Sequence, residues 1–204
     1  MIVVDYGRGN LFSLKQALLH VGGAPKISSD PADLATADKI VFPGVGAFGD
    51  AMEGLRAAGL VGPLKDAIAR GTPLLGICVG CQLLLSLGEE FETHQGLDVI
   101  PGRVALLPRG NDPQRSDRIP NVGWRRIRVN AEDPVLGTLS AEDYVYFVHS
   151  FAPYADPDFV AAWLDYNGRE VPVAVRRESV LGVQFHPEKS GDAGLRLLEA
   201  FRKL

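Results

Sequence analysis

The chain has 204 residues, enough for one domain with a substantial core, and we predict a single domain over residues 1–204. Hydrophobic residues make up 46% of the chain and charged residues 23%, which is an ordinary globular composition. The formal net charge of −4 provides no basic surface for nucleic acid or an anionic membrane, so we expect neither as a partner.

No apolar stretch reaches the roughly 18 residues of a membrane span, and the first residues lack the basic start of a signal peptide. The two cysteines, Cys78 and Cys81, lie too close together to form a disulfide framework, which fits a reducing cytosol. We therefore expect a cytoplasmic protein.

The first half of the chain alternates β-branched runs with amphipathic stretches. Residues 2–4 predict a first strand, and Asn10 then stands as an N-cap before apolar residues at helical spacing. Further strands are predicted at residues 39–42 and 73–77, and helices at residues 49–58 and 61–70. Strands alternating with helices predict a three-layer α/β fold, in which helices cover both faces of a mostly parallel sheet. Sites in such folds form beyond the carboxyl ends of the strands.

The second half is richer in strands, which we expect to add antiparallel neighbours to the sheet. They are predicted at residues 104–107, 127–129, 144–149, 173–175 and 180–186. A last helix is predicted over residues 191–203, with Leu195, Leu198 and Phe201 on its buried face. The polar residues 109–120 predict a mobile loop.

Residues 76–80, Gly-Ile-Cys-Val-Gly, indicate a nucleophile elbow. A nucleophile on a tight turn has a strained backbone, and glycines two positions away avoid collisions with neighbouring structure. The N–H of Val79 is then a candidate oxyanion-hole donor. A helix beginning behind Cys78 would favour its thiolate, and we predict that this helix carries Leu83, Leu84 and Leu87.

Other interpretations of Cys78 remain. It could be a buried structural cysteine or, together with Cys81, part of a C-x-x-C redox or half-zinc motif. The flanking glycines have no role in redox or zinc chemistry, so the context favours a nucleophile. We expect neither a metal nor a cofactor.

A cysteine nucleophile needs a base, and the chain has four histidines, of which His20 and His94 are interpreted as solvated or structural. His186 ends a predicted strand, and Glu188 follows two positions later, where an extended chain turns both side chains the same way. Glu188 can therefore orient His186 and stabilise its charged form, which completes a triad with Cys78. A loop histidine beside an unrelated surface acid is the alternative.

Together these features resemble the class I, or triad, glutamine amidotransferases. In that family a glutamine follows the elbow, here Gln82, and the strand ends in His-Pro-Glu, as residues 186–188 do here. Further segments are similar to the glutaminase subunits of imidazole glycerol phosphate synthases, namely residues 4–11, 43–48, 120–124 and 147–150. The resemblance extends over essentially the whole chain.

The resemblance implies hydrolysis of L-glutamine to glutamate and ammonia, in a heterodimer that delivers ammonia to a (β/α)8-barrel cyclase subunit for histidine biosynthesis. It makes Cys78 the nucleophile, His186 the acid and base, and Glu188 the orienting acid. It also implies substrate binding by Gln82, Glu90, Ser150 and Phe151, an oxyanion strand at Gly44, Val45 and Gly46, and a partner interface that includes Asn10 and Trp124.

Some residues depart from the family pattern. Cys81 stands where methionine is usual, Phe151 replaces a commoner tyrosine, and Asn121 and Arg125 stand where histidine and asparagine are frequent. The alternatives to the proposed activity are a glutaminase of another biosynthetic pathway, an inactive glutaminase-like binding subunit, and a general cysteine hydrolase of the same fold. The alternative for Trp124 is a core aromatic residue.

Overall fold

The computed structural model of the chain describes residues 1–110 and 118–204. Its strands are β1 (Ile2–Val4), β2 (Lys26–Ser28), β3 (Ile40–Gly44), β4 (Leu74–Cys78), β5 (Leu85–Gly88), β6 (His94–Gln95), β7 (Ile100–Leu106), β8 (Asn121–Arg125), β9 (Arg128–Val129), β10 (Val145–His149), β11 (Phe151–Ala155), β12 (Val160–Tyr166), β13 (Arg169–Arg177) and β14 (Val180–Val183). Its helices are α1 (Leu11–His20), α2 (Pro31–Ala35), α3 (Phe48–Ala57), α4 (Val61–Ala69), α5 (Val79–Gln82) and α6 (Gly191–Lys203), with 3-10 turns at Leu136–Thr138, Pro157–Phe159 and Pro187–Lys189.

The largest sheet has the strand order β2-β1-β3-β4-β14-β13-β12-β9. In this spatial order, each pair of neighbouring strands from β2 through β1, β3 and β4 to β14 is parallel. Each pair from β14 through β13 and β12 to β9 is antiparallel. Every residue of β1, β3, β4 and β14 is buried, as a parallel sheet covered on both faces requires. These observations confirm the α/β fold with a mostly parallel central sheet and additional antiparallel strands.

The strands also form two smaller sheets in the second half of the chain. One pairs β10 with β8, and the other has the order β11-β7-β5-β6. The sequence pattern did not predict β2, α2, β5, β6, β8, β11 or β12, most of which are short or only partly buried. Of the predicted mobile loop at residues 109–120, residues 111–117 lie outside the described residues.

The helices lie close to the predicted positions. The Asn10 side chain accepts a hydrogen bond from the Ser13 N–H at 3.3 Å and caps α1, as expected. Helix α6 buries Leu197 along with the expected Leu198 and Phe201, whereas Leu195 is only half-buried, so its buried face is rotated from the predicted one. Within the described ranges, none of the helices combines the length and hydropathy needed to cross a bilayer.

The helix predicted after the elbow is much shorter than expected. Helix α5 ends at Gln82, and the predicted helical residue Leu87 lies in strand β5. The carbonyl groups of Leu83 and Leu84 accept hydrogen bonds from the N–H groups of Leu97 and Val99, so they cannot continue a helical ladder. The burial of Leu83 and Leu84 therefore belongs to the turn into β5 rather than to a helix face.

The parallel strands bring several loops to one edge of the central sheet. The carboxyl ends of parallel strands meet at a common edge. Gly44 at the end of β3 pairs with Cys78 at the end of β4, and Ile77 pairs with Val183 at the end of β14. Residues 44–46, the elbow and residues 184–188 therefore converge there.

Close packing between α6 and the Pro187–Lys189 turn gives a testable prediction. An alanine Cβ at Gly194 would lie 1.8 Å from the Pro187 carbonyl oxygen, whereas one at Gly62, within α4, would meet no atom of the described residues within 4 Å. We expect Gly194→Ala to lower the free energy of unfolding by about 1–3 kcal/mol. The matched control Gly62→Ala should raise it by roughly 0.4–1 kcal/mol through reduced freedom of the unfolded chain. Urea denaturation measures both, and a Gly194→Ala protein as stable as the parent contradicts this packing.

Candidate active site

Cys78 occupies a strained turn between β4 and α5. Its backbone has φ 56° and ψ −114°, a conformation that a residue with a side chain rarely adopts. An added Cβ at Gly76 would lie 2.8 Å from the Gly80 carbonyl oxygen, and one at Gly80 would lie 1.9 Å from the Phe42 carbonyl oxygen. Both glycines of the motif are thus required by close backbone contacts, and they hold the turn that carries Cys78.

The shortness of α5 changes the electrostatic argument for this cysteine. A four-residue helix has few aligned peptide dipoles, so the expected dipole support for a thiolate is small. Stabilisation of negative charge on Cys78 must come mainly from side chains and N–H groups around it.

His186 and Glu188 form a buried pair. The His186 Nδ1–H donates to Glu188 Oε1 at 2.8 Å, and both side chains are almost wholly buried. His186 itself is extended, but the chain then turns at Pro187–Lys189, so the pairing depends on this turn rather than on a continued strand. The expected contact between the two side chains is present, but the backbone after His186 forms a 3-10 turn instead of the extended chain that was predicted.

The electrostatics of His186 reflect both burial and its neighbours. Burial lowers its pKa, but the interactions with Cys78 and Glu188 outweigh burial and raise the pKa to about 10. At neutral pH His186 is therefore an imidazolium between two groups that favour its charge. Its Nε2 lies close enough to Cys78 for this effect, but among the described residues it has no partner at hydrogen-bonding geometry. Such contacts in unliganded enzymes often tighten only when substrate binds.

Backbone contacts fix His186 against strand β10. The His186 N–H donates to the Tyr146 carbonyl at 2.9 Å, and the His186 carbonyl accepts from the Ser190 hydroxyl at 2.7 Å. Ser190 Oγ also accepts from the Tyr146 N–H at 2.9 Å. Strand β10 is therefore directly linked to the histidine of the site.

A cavity of about 330 Å³ unites most of the predicted residues. Its volume is at the lower end of the roughly 300–1,000 Å³ of small-molecule sites. It is lined by Val45, Gly46, Cys78, Val79, Gln82, Glu90, Ser150, Phe151 and His186. Glu188 lies behind His186, and Gly44 lies beside the elbow, where an added Cβ would be 2.5 Å from the Tyr6 hydroxyl.

Several residues of the site were not anticipated. The cavity is also lined by Pro120, Val148, His149 and Lys189. Lys189 directly follows Glu188, so its position in the sequence was a usable signal. Gln184 lies two positions before His186 and donates to Cys78 Sγ at 3.7 Å. In the strand predicted over residues 180–186, residues 184 and 186 point the same way, so that prediction could have identified Gln184.

Comparisons with known proteins identify the family of the chain. The family model of class-I glutamine amidotransferases matches residues 2–203. The chain belongs to the class-I glutamine amidotransferase family. It is 44% identical to the imidazole glycerol phosphate synthase subunit HisH of Syntrophotalea carbinolica, over 98% of this chain and 98% of that protein. It is 46% identical to the HisH subunit of Salinibacter ruber, over 99% of this chain and 93% of that protein.

Solved structures support the fold. A crystal structure of a glutamine amidotransferase superimposes with a TM-score of 0.73 at 22% identity, covering 98% of both chains. The structure of PurLQS from Thermotoga maritima gives a TM-score of 0.72 at 21% identity, over 99% of this chain and 96% of that chain. At these identities the likeness concerns the amidotransferase fold alone.

The two residues that the resemblance implies for a partner interface, Asn10 and Trp124, are both exposed. Trp124 is 59% exposed and packs edge-on against Tyr146, with ring centroids 4.9 Å apart, so the core alternative for Trp124 is wrong. Asn10 is exposed and caps α1. The structure also locates two departures from the family pattern, since Arg125 Nε donates to Asn121 Oδ1 at 3.2 Å beneath the exposed face.

His149 is buried on the inner side of β10, opposite Asn121 on β8. Its Nδ1 lies 2.9 Å from the Phe151 carbonyl oxygen, and its Nε2 lies 2.9 Å from Asn121 Nδ2. Burial lowers the pKa of His149 to about 4, although the hydrogen bond to the Phe151 carbonyl acts in the opposite direction. His149 is therefore neutral at pH 7.

This shift predicts acid sensitivity. The pKa of His149 is below its ordinary value of 6.5, so the unfolded state takes up the proton first as pH falls. Stability from this residue is complete above pH 6.5 and is lost between pH 6.5 and about 4. Between pH 7 and pH 4, wild type should lose about 3 kcal/mol more unfolding free energy than His149→Asn, which does not titrate. Urea denaturation at several pH values tests this, and parallel profiles would exclude it.

Proposed function

We propose that the chain hydrolyses L-glutamine to L-glutamate and ammonia, with Cys78 as nucleophile, His186 as acid and base, and Glu188 as the orienting acid. The observation that carries this proposal is the shared cavity: Cys78 on its strained turn faces the same space as His186, which Glu188 holds at 2.8 Å. A nucleophile, a base and a third group that orients the base are the elements of covalent acyl transfer.

The chemistry follows from the charge on His186. The Cys78 sulfur attacks the side-chain amide carbon of glutamine, and the carbonyl oxygen acquires negative charge. The N–H of Val79 and the peptides of residues 44–46 are the candidate donors to that oxygen. The His186 imidazolium then gives its Nε2 proton to the leaving ammonia, and a glutamyl thioester remains. Neutral His186 next takes a proton from a water molecule, whose oxygen attacks the thioester carbon. The carbon–sulfur bond then breaks, glutamate is released, and the Cys78 thiolate and the His186 imidazolium are restored.

The cavity has groups suited to the two charges of the amino acid. Glu90 Oε2 accepts from the Phe48 N–H at 2.8 Å, which fixes the carboxylate and leaves Oε1 for the substrate ammonium. Gln82 Nε2 donates hydrogen bonds to the Phe151 carbonyl oxygen and to Gln184 Oε1. Gln82 Oε1 is therefore the atom that can accept from the same ammonium group. The backbone at Ser150 and Phe151 is proposed to bind the substrate carboxylate.

The assignment of the nucleophile is tested by two cysteine variants. Cys81 is fully buried, and burial raises its pKa well above the usual range, so it stays a thiol. We expect Cys78→Ala to reduce glutamate release at least about 10⁴-fold, since the covalent route is lost. The control Cys81→Ala should retain most of the activity. Labelling of Cys81, rather than Cys78, by a glutamine-like alkylating reagent would refute the assignment.

We further propose that the ammonia passes to a (β/α)8-barrel cyclase subunit, in a cytoplasmic heterodimer serving histidine biosynthesis. The relatives named as subunits of imidazole glycerol phosphate synthase support this proposal. An apolar face beside the cavity also supports it: Val122, Trp124 and Val148 on strands β8 and β10 are 55%, 59% and 42% exposed. Exposed apolar surface next to a cavity is typical of a protein–protein contact. Free ammonia would be protonated in water, so a covering partner serves the chemistry.

We propose that activity depends on the partner. Gly44 and Gly46 flank Val45, and Gly46 has φ 98°, so a peptide rotation in the oxyanion segment meets little steric resistance. The isolated chain should hydrolyse glutamine slowly, and the cyclase with its ligand should accelerate it. Turnover of glutamine with and without the barrel subunit distinguishes this function from an inactive subunit, a general cysteine hydrolase or a glutaminase of another pathway.

Replacement of Trp124 tests the interface. Because Trp124 is mostly exposed, Trp124→Ala should fold normally but reduce glutamine-dependent product formation by the assembled enzyme at least about tenfold. Product formation from added ammonium salt should be unchanged. Leu19→Ala, an exposed leucine at the far end of α1, is the matched control and should behave as wild type. Full glutamine-dependent activity of Trp124→Ala would remove Trp124 from the interface.

A further inference from the structure

The carbonyl oxygen of Phe151 joins two hydrogen-bonded arms inside the protein. It accepts from Gln82 Nε2 at 3.1 Å and from His149 Nδ1 at 2.9 Å. A backbone carbonyl can only accept, so both atoms that face it must carry hydrogen. This one group therefore decides which way the Gln82 amide is turned and which nitrogen of His149 is protonated.

The inner arm ends at the nucleophile. Because Gln82 presents its Nε2 group to Phe151, the other hydrogen of that group is given to Gln184 Oε1 at 2.9 Å. The amide of Gln184 is thereby oriented with its Nε2 towards Cys78, at 3.7 Å from the sulfur. Gln184 is wholly buried and Gln82 is nearly so, which leaves bulk water no part in this orientation.

The outer arm ends beneath the exposed face of β8 and β10. Since His149 is protonated on Nδ1, its Nε2 is an acceptor, and Asn121 Nδ2 donates to it at 2.9 Å. The Asn121 amide oxygen then accepts from Arg125 Nε at 3.2 Å. An arginine side chain can only donate hydrogen bonds. The amide orientation of Asn121 that follows from the Phe151 carbonyl is therefore the one that Arg125 also requires.

We propose that Gln184 is a further residue of the catalytic machinery, which donates a hydrogen bond to the Cys78 sulfur in the direction that the Phe151 carbonyl imposes. His149 is a positioning residue in the same arrangement, because it fixes that carbonyl from the other side. A buried donor stabilises negative charge on the sulfur, and the reversed amide would present lone pairs to it. With the Gln184 amide reversed, Gln82 Nε2 would also face the Gln184 Nε2 group, which is a second donor. This inference rests on the proposed function for the role of the sulfur.

Alkylation of Cys78 by iodoacetamide tests the donor without glutamine. In Gln184→Met, which keeps the length and loses the donor, we expect the midpoint of the rate–pH profile to lie about one unit higher, with alkylation below the midpoint slowed about tenfold. The limiting rate at high pH should not change, because access to the sulfur is unaltered. The ionisable groups around the sulfur are the same in both proteins, namely Tyr6, Cys81, Glu90, His149, His186, Glu188 and Lys189. A superimposable profile overturns the proposal.

Steady-state kinetics give a second readout. Gln184 does not line the cavity, so Gln184→Met should lower kcat and leave KM for glutamine nearly unchanged, whereas Gln82→Met should raise KM. A change confined to KM in Gln184→Met would overturn the donor role. Failure of wild type to hydrolyse glutamine, with the alkylation difference intact, would defeat the proposed function and not this inference.

The outer arm is tested by two replacements of His149, which also serve if Gln184→Met does not fold. His149→Asn keeps a donor near the position of Nδ1, and His149→Leu has none. We expect alkylation of Cys78 below the midpoint of the rate–pH profile to remain near the wild-type rate in His149→Asn and to fall severalfold in His149→Leu. Equal rates in the two variants, with equal unfolding free energies, would remove His149 from the arrangement.

Discussion

The close approach of the β4–α5 turn to strand β3 is the constraint on which the site depends. Cys78 sits at a positive φ that its side chain disfavours, and it stays there because the backbone at Gly80 lies against the Phe42 carbonyl with no room for a Cβ. The register of the parallel strands then sets Gly44 directly beside Cys78. Backbone packing, rather than the four-residue helix, therefore positions both Cys78, the proposed nucleophile, and the segment proposed to bind the oxyanion.

The sequence was sufficient for those parts of the molecule that depend on local pattern. Buried β-branched runs identified the parallel strands, and the glycines around Cys78 identified the turn. Contacts between segments that are distant in the sequence could not be predicted from local pattern. The helix after the elbow was overestimated because the carbonyl groups of Leu83 and Leu84 are used by residues 97–99, and no local signal marks that pairing. The pairing of Asn121 with His149 likewise depends on the register of β8 against β10.

That register also gives a physical account of two departures from the family pattern. Asn121 and Arg125 stand where histidine and asparagine are frequent, and in this chain they bond to each other. An amide at position 121 can donate to His149 and accept from arginine at the same time, so the two substitutions are satisfied jointly. A change at one of the two positions alone would leave a buried polar atom without its partner, which is costly.

Strand β10 explains how one short segment can serve both the buried site and an exposed surface. Its side chains alternate, so Tyr146 and Val148 lie on the outer face with Trp124, while Phe147 and His149 face inwards. The same strand binds the backbone of His186 through Tyr146. A displacement of this strand by a partner on its outer face would therefore reach His186 through one backbone hydrogen bond. It would reach the Phe151 carbonyl through the His149 side chain. The period of two residues in a strand is what places these contacts on opposite sides of a single peptide segment.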